Sequence, residues 1–131
     1  MNQIKKRTIL SIEDTASFRK LIKMALEFEG FHVLEAHDGQ SGLDLAHSAR
    51  PDLILLDLMM PGMDGLQVCQ QLKASESLKS IPIVLLSSSD DSDDIEACLQ
   101  LGAKGSLSKP FLPKLLIHMV RELLAPSVAT P

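Results

Sequence analysis

An open α/β sheet of parallel strands with helices on both sides is the fold this sequence predicts. Two observations predict it. Short β-like runs alternate strictly with longer amphipathic segments along the chain. Two of those runs, Leu53-Ile54-Leu55-Leu56 and Ile83-Val84-Leu85-Leu86, are apolar at every position. A strand of that kind must be buried on both faces, and strands that alternate with helices close by right-handed crossovers.

Each element has its own reason. Thr8 to Ile12 is the first expected strand. Phe18, Leu21, Ile22, Ala25 and Leu26 then recur at helical spacing, and Gly30 stands where a left-handed stop belongs. Phe31 to Ala36 is the second strand, and the stripe through Leu43 and Ala46 marks the second helix. Asp52 to Leu56 is the third strand, followed by a helix on Leu66, Cys69 and Leu72. Ile81 to Leu86 is the fourth, followed by a helix on Ile95, Cys98 and Leu99 that Gly102 closes. Gly105 to Ser108 is the fifth. In the last helix Leu112, Leu115, Leu116, Met119, Val120 and Leu123 form one apolar face. Ala125 to Pro131 holds two prolines and loses periodicity, so residues 125–131 are expected as a flexible tail with no output domain after them. Residues 1–7 read as an N-terminal arm and 8–124 as one domain.

Composition narrows the class. At 131 residues the chain suits a single domain, and 45% hydrophobic with 23% charged residues is the balance of a globular protein with a packed core. The net charge is −4, and the one basic cluster is Lys5, Lys6 and Arg7. Phosphate-backbone affinity needs clustered Lys and Arg, so no nucleic-acid partner is expected. Cys69 and Cys98 lie far apart without metal-ligand spacing and read as buried free thiols, which suits a reducing compartment. His32, His37, His47 and His118 are scattered. No apolar stretch of secretory length precedes Glu13 and Asp14, and no run approaches a membrane span. A soluble cytoplasmic protein without membrane insertion is expected.

The chemistry gathers where the strands end. Glu13 and Asp14 follow the first strand, Asp57 the third, Ser87 and Ser88 the fourth, and Lys109 the fifth. Singly, each has a structural reading as a cap, a turn residue or a solvated charge. Together they converge on one rim, where open α/β sheets bind their ligands. Three carboxylates roughly 4 Å apart repel by about 4 kcal/mol per pair at an effective dielectric near 20, so the cluster calls for a proton or a cation. An all-oxygen donor set favours magnesium or manganese over zinc. Asp57 then reads as a nucleophile toward phosphorus, with Lys109 neutralising a phosphoryl oxygen and Ser87 donating to another.

With this set of residues, the chain resembles the receiver domains of two-component response regulators from Thr8 to about Leu124. The matching pieces are Ile12-Glu13-Asp14, the run from Leu56 through Asp57 to Gly65, Ser87-Ser88, Gly102-Ala103 and Lys109-Pro110-Phe111. The resemblance implies a flavodoxin-like, doubly wound five-stranded parallel sheet in the order 2-1-3-4-5 with five helices. It implies that Asp57 is phosphorylated by a histidine kinase or histidine phosphotransfer protein and then switches a downstream protein target. Magnesium is implied on Asp14, Asp57 and the Met59 carbonyl, with Glu13 acting through water. A cis Lys109–Pro110 peptide, a Pro61-Gly62 turn and an Asp64 helix cap are expected as well.

One position departs from the family. Where many members carry Tyr or Phe on the fifth strand, this chain has Ser106, which cannot supply a buried ring with distinct inward and outward rotamers. The switch is then expected to rest on Ser87 and the loop behind it, with Lys104, Ser106, Lys114 and His118 as the partner surface. The alternative is a degenerate receiver that binds proteins whether or not it is phosphorylated. A magnesium phosphatase is disfavoured because Met59 stands where a second acid would be needed, so only self-phosphorylation and autodephosphorylation are expected. A flavin protein is disfavoured because the chain lacks Trp and Tyr.

Overall fold

The computed structural model describes residues 6–88 and 92–125. The expected tail beyond Ala125, most of the expected arm, and residues 89–91 of the Ser- and Asp-rich loop lie outside the described residues. Five strands and five helices alternate: β1 (Thr8–Ile12), α1 (Ala16–Phe28), β2 (His32–Ala36), α2 (Gly39–Ala49), β3 (Leu53–Asp57), α3 (Gly65–Ala74), β4 (Ile83–Ser87), α4 (Ser92–Leu101), β5 (Gly105–Ser108) and α5 (Pro113–Leu124). The strands pair in parallel in the order β2-β1-β3-β4-β5. Fold class and strand order are as the sequence and its resemblance implied.

The period of two along each strand sorts the core into two layers. Ile54 and Leu56 of β3 join Leu43, Val68, Leu72 and Cys98 on the side covered by α2, α3 and α4. Leu53 and Leu55 join Ile22, Leu26, Leu116 and Val120 on the side covered by α1 and α5. β3 and β4 are buried along their whole length, as two-sided apolar runs require. Cys69 and Cys98, distant in sequence, join one core cluster on the α3–α4 side, where both are buried and free.

Small shifts of boundary have local causes. β4 begins at Ile83 instead of Ile81 because Pro82 offers no amide to the ladder and contributes only its carbonyl, which accepts from Ile54 N–H at 2.9 Å. β3 runs one residue further than expected, to Asp57, so the candidate nucleophile is anchored by a strand. Gly30 (φ 97°) and Gly102 (φ 115°) take the left-handed conformation expected at the ends of α1 and α4. The continuous apolar face expected on α5 is narrower: Leu116 and Val120 are buried, whereas Leu112 is 67% and Leu115 52% exposed. Leu112 precedes the helix, and Leu115 lies about 100° off the line through Leu116 and Val120.

Asp64 caps α3 in a reciprocal arrangement. Its Oδ1 accepts from Gln67 N–H at 2.9 Å, and Gln67 Oε1 accepts from Asp64 N–H at 3.1 Å. Asp64→Ala is expected to lower unfolding stability by about 1 kcal/mol. The check is the urea midpoint at unchanged slope, and an unmoved midpoint would show the cap to be idle.

Candidate functional site

Sheet order decides which strand ends are neighbours. β1 and β3 lie side by side, and the chain leaves β1 toward β2 on one side and returns to β3 on the other. The crevice at the carboxyl ends of these strands is the ligand position of an open α/β sheet. Glu13 follows β1 directly, held by its N–H donating to the Ala36 carbonyl at 3.0 Å. Asp57 closes β3, opposite Leu86 of β4.

Glu13, Asp14 and Asp57 come together there, each offering a carboxylate oxygen within 4.8 Å of the others. Glu13 and Asp57 are buried and Asp14 is half-buried. The Lys109 ammonium reaches in from the end of β5, 2.6 Å from Glu13 Oε1 and 3.3 Å from Asp57 Oδ2. Lys109 is itself held at its backbone, where its N–H donates to the Ser87 carbonyl at 2.7 Å, and its peptide to Pro110 is cis. Ser87 is buried at the end of β4, and its hydroxyl has no hydrogen-bond partner among the described residues.

Backbone amides hold two of the carboxylates. Met59 N–H donates to Asp57 Oδ1 at 3.0 Å and Thr15 N–H to Glu13 Oε2 at 3.0 Å. The other oxygen of each, Asp57 Oδ2 and Glu13 Oε1, has the Lys109 ion pair and no further donor among the described residues. One ammonium therefore serves a cluster of three acids. Burial pushes the Asp57 carboxyl up to about 7; the Met59 amide opposes this, and Glu13 adds to it. Buried, under-coordinated carboxylate oxygens in an all-oxygen set are what a hard divalent cation takes as ligands, so the residues present fit magnesium or manganese.

Two contributors escaped the sequence reading. Arg19, in α1, donates from Nη1 to the carbonyls of Glu13 at 2.9 Å and Asp14 at 3.0 Å, and its Nε lies 3.6 Å from Glu35 on β2. Phe18 places its ring 4.7 Å from the Lys109 ammonium. The only signal for either was position, since both fall in the first turns after the acidic pair, where Phe18 reads as an ordinary core residue.

The candidates for a partner surface lie on β5 and α5 and just before β5. Lys104, Lys114 and His118 are exposed and Ser106 is half-buried. Lys114 and His118 line a depression of about 280 Å³ beside α1 with Glu29, Ile117 and Arg121, whereas Lys104 precedes β5 at the sheet edge. A second depression, of about 380 Å³, lies beside the acidic cluster between Leu58, Met59, Met60, Pro61, Asp64 and Asp94. Met59 is 58% exposed there. Among the described residues, no helix is long and apolar enough to cross a membrane.

A family model described as the response regulator receiver domain matches residues 9–121. The chain is 40% identical over 119 residues to the DNA-binding response regulator MtrA of Mycobacterium tuberculosis (strain ATCC 25618 / H37Rv), covering 91% of this chain and 51% of MtrA. It is 36% identical over 118 residues to the phosphate regulon transcriptional regulatory protein PhoB of Pseudomonas aeruginosa, covering 90% of this chain and 52% of PhoB. The chain thus spans about half the length of the curated relatives it matches. Among solved structures, Vibrio cholerae chemotaxis protein CheY4 superposes with a TM-score of 0.86 at 29% identity, over 92% of this chain and 100% of that one. The receiver domain of sensor histidine kinase PA1611 from Pseudomonas aeruginosa PAO1 gives a TM-score of 0.82 at 29% identity, over 91% and 98% of the two chains. That structure has a magnesium ion coordinated in its active site cleft.

These relatives overturn one expectation. Absence of a nucleic-acid partner was inferred from a net charge of −4, yet MtrA is a DNA-binding response regulator. Charge counted over one segment reports on that segment's surface alone. It carries no information about DNA contacts in proteins of roughly twice the length.

Proposed function

The chain belongs to the response regulator receiver family, and from that premise we propose that Asp57 accepts a phosphoryl group and that the modified protein switches a protein partner. The donor is a histidine kinase or histidine phosphotransfer protein. The observation that carries this is the buried Asp57 carboxylate, gathered with Glu13 and Asp14 and ion-paired to Lys109.

Magnesium, or manganese, held by Asp14, Asp57 and the Met59 carbonyl with Glu13 acting through water, would supply the positive charge that relieves the acids and receives phosphoryl oxygen. The rest falls to the protein's own groups. An Asp57 carboxylate oxygen attacks the phosphorus of a phosphohistidine. The O–P bond forms as the N–P bond breaks, and the departing imidazole keeps the electron pair and takes up a proton. Met59 N–H holds Asp57 Oδ1, which orients the carboxylate through the exchange. Lys109 moves its charge onto a phosphoryl oxygen as Asp57 loses its own. Ser87, buried and without a partner among the described residues, donates its hydroxyl to another. Movement of Ser87 toward the phosphoryl group repacks the face made by α4, β5 and α5, and Lys104, Ser106, Lys114 and His118 are the proposed reporters of that change. The unit that does this is residues 8–124, acting in the cytoplasm, and its own chemistry is limited to gaining and losing this phosphoryl group.

Incubation with Mg2+ and a small acyl phosphate is expected to add one alkali-labile phosphoryl group. No incorporation, or undiminished incorporation in Asp57→Ala, refutes the reading. Mg2+ binding has a separate readout in thermal stability. At about a hundredfold excess over Kd the cation is expected to stabilise the fold by about 2.7 kcal/mol, seen as a raised Tm. In Asp14→Ala the increment should vanish; if it persists, the cation is held elsewhere.

A further inference from the structure

The Lys109 ammonium has close neighbours of two kinds, acids and a ring. Glu13 Oε1 and Asp57 Oδ2 lie at 2.6 and 3.3 Å, and the centroid of the Phe18 ring lies at 4.7 Å, within cation–π range. Phe18 comes from the first turn of α1, one helical turn before the buried Ile22. Its ring leans on Phe111, with centroids 6.1 Å apart and planes at 34°. Phe111 is buried two residues beyond Lys109, so one aromatic pair joins α1 to the connection that presents the ammonium.

We propose that Phe18 is a positioning residue for Lys109, holding the ammonium over its π face and against the site. This rests on the reading of Asp57 as phosphoacceptor. A lysine side chain is a point charge on a flexible stem, and its rotamer entropy favours swinging out to water. The carboxylates hold it while both carry charge. As Asp57 becomes esterified that hold weakens, because the attraction depends on the charge being spent. The attraction of a ring quadrupole for a cation does not change during the exchange. Phe18 therefore keeps Lys109 beside the Asp57 oxygen at the moment its charge is needed on the incoming phosphoryl group. An aliphatic residue of similar volume fills the same space without that attraction, and this difference makes the role testable.

The experiment compares Phe18→Leu and Phe18→Tyr in the full chain, with Phe18→Met as a second non-aromatic variant should the Leu protein fail to fold. Rates of phosphoryl uptake from a small acyl phosphate with Mg2+ are measured beside the NMR shift of the Lys109 ε-methylene protons without any phosphodonor. The expected result is an ε-methylene signal moved upfield by the ring current in wild type and in Phe18→Tyr, and moved back in the non-aromatic variant. Uptake should slow about tenfold in the non-aromatic variant, the equivalent of about 1.4 kcal/mol, and stay within about twofold in Phe18→Tyr. Uptake at the wild-type rate in the non-aromatic variant overturns the proposal, and so does failure of Tyr to restore it. Should wild type itself take up no phosphoryl group, the reading of Asp57 fails; the ring-current comparison then decides by itself whether Phe18 sets the position of Lys109.

Discussion

Asp57→Asn is expected to abolish phosphoryl acceptance and, in the absence of Mg2+, to make the fold more stable. Both effects have one source. The carboxylate is buried beside Glu13, which raises its pKa from 3.8 to about 7. Between those values the native state keeps a proton that the unfolded chain has released, so the native state binds more protons and stability falls as pH rises. Above about pH 7 the native protein carries the full cost of the buried charge. The amide of Asn is close in size and has no charge to bury. At pH 8 with chelator present the variant should exceed wild type by about 2 kcal/mol after allowance for solvent screening. The gap should narrow steadily as pH falls from about 7 toward 3.8, and only below that does Asp57 become neutral in both states. Denaturant midpoints measured across that range test the claim. A variant less stable than wild type at pH 8, or a gap that widens in acid, would mean the carboxylate is a structural asset and not a strained functional group.

Gly65→Ala should damage fold and site together. A Cβ at Gly65 would lie 2.5 Å from Leu58 Cα and 2.6 Å from the Asp57 carbonyl oxygen. Both are backbone atoms, and neither can rotate away. Relief requires α3 to back off from the end of β3, which strains the carbonyl of Asp57 itself and the Gly65 N–H···O=C Leu58 hydrogen bond. The expected cost is about 3 kcal/mol, with slower phosphoryl uptake in whatever protein folds. Gly62 is the internal control. Its φ of 79° disfavours a side chain, yet a Cβ there meets nothing within 4 Å, so Gly62→Ala should cost about 1 kcal/mol and leave uptake unchanged. Equal effects of the two substitutions on uptake would show that close approach at Gly65 plays no part.

A third position marks the limit of single-residue reading. Phe18 satisfies the apolar period of α1 and would be assigned to the core on that ground alone. Its ring does help bury α1, but it also faces the ammonium of a residue 91 positions later in the chain. Cys69 and Cys98 behave likewise: each is legible as a buried thiol, and nothing local says that the two join one core cluster.

What the sequence by itself determined is whatever depends on near neighbours in the chain. Two solidly apolar strands required a sheet buried on both faces. Gly30 and Gly102 ended their helices, Asp64 capped α3, and the acids, Ser87 and Lys109 were each placed after a strand. Resemblance to a known family supplied the strand order that these periods leave open. Tertiary structure alone decided what each charge faces: that Glu13 takes the shorter contact with Lys109, that Arg19 holds the carbonyls of the acidic pair, and that Phe18 lies beside the ammonium. Periodicity is a property of neighbouring residues and repeats whatever the partner. Electrostatic environment is set by distance in space, and in a parallel sheet the residues that meet at one rim are separated in sequence by whole helices.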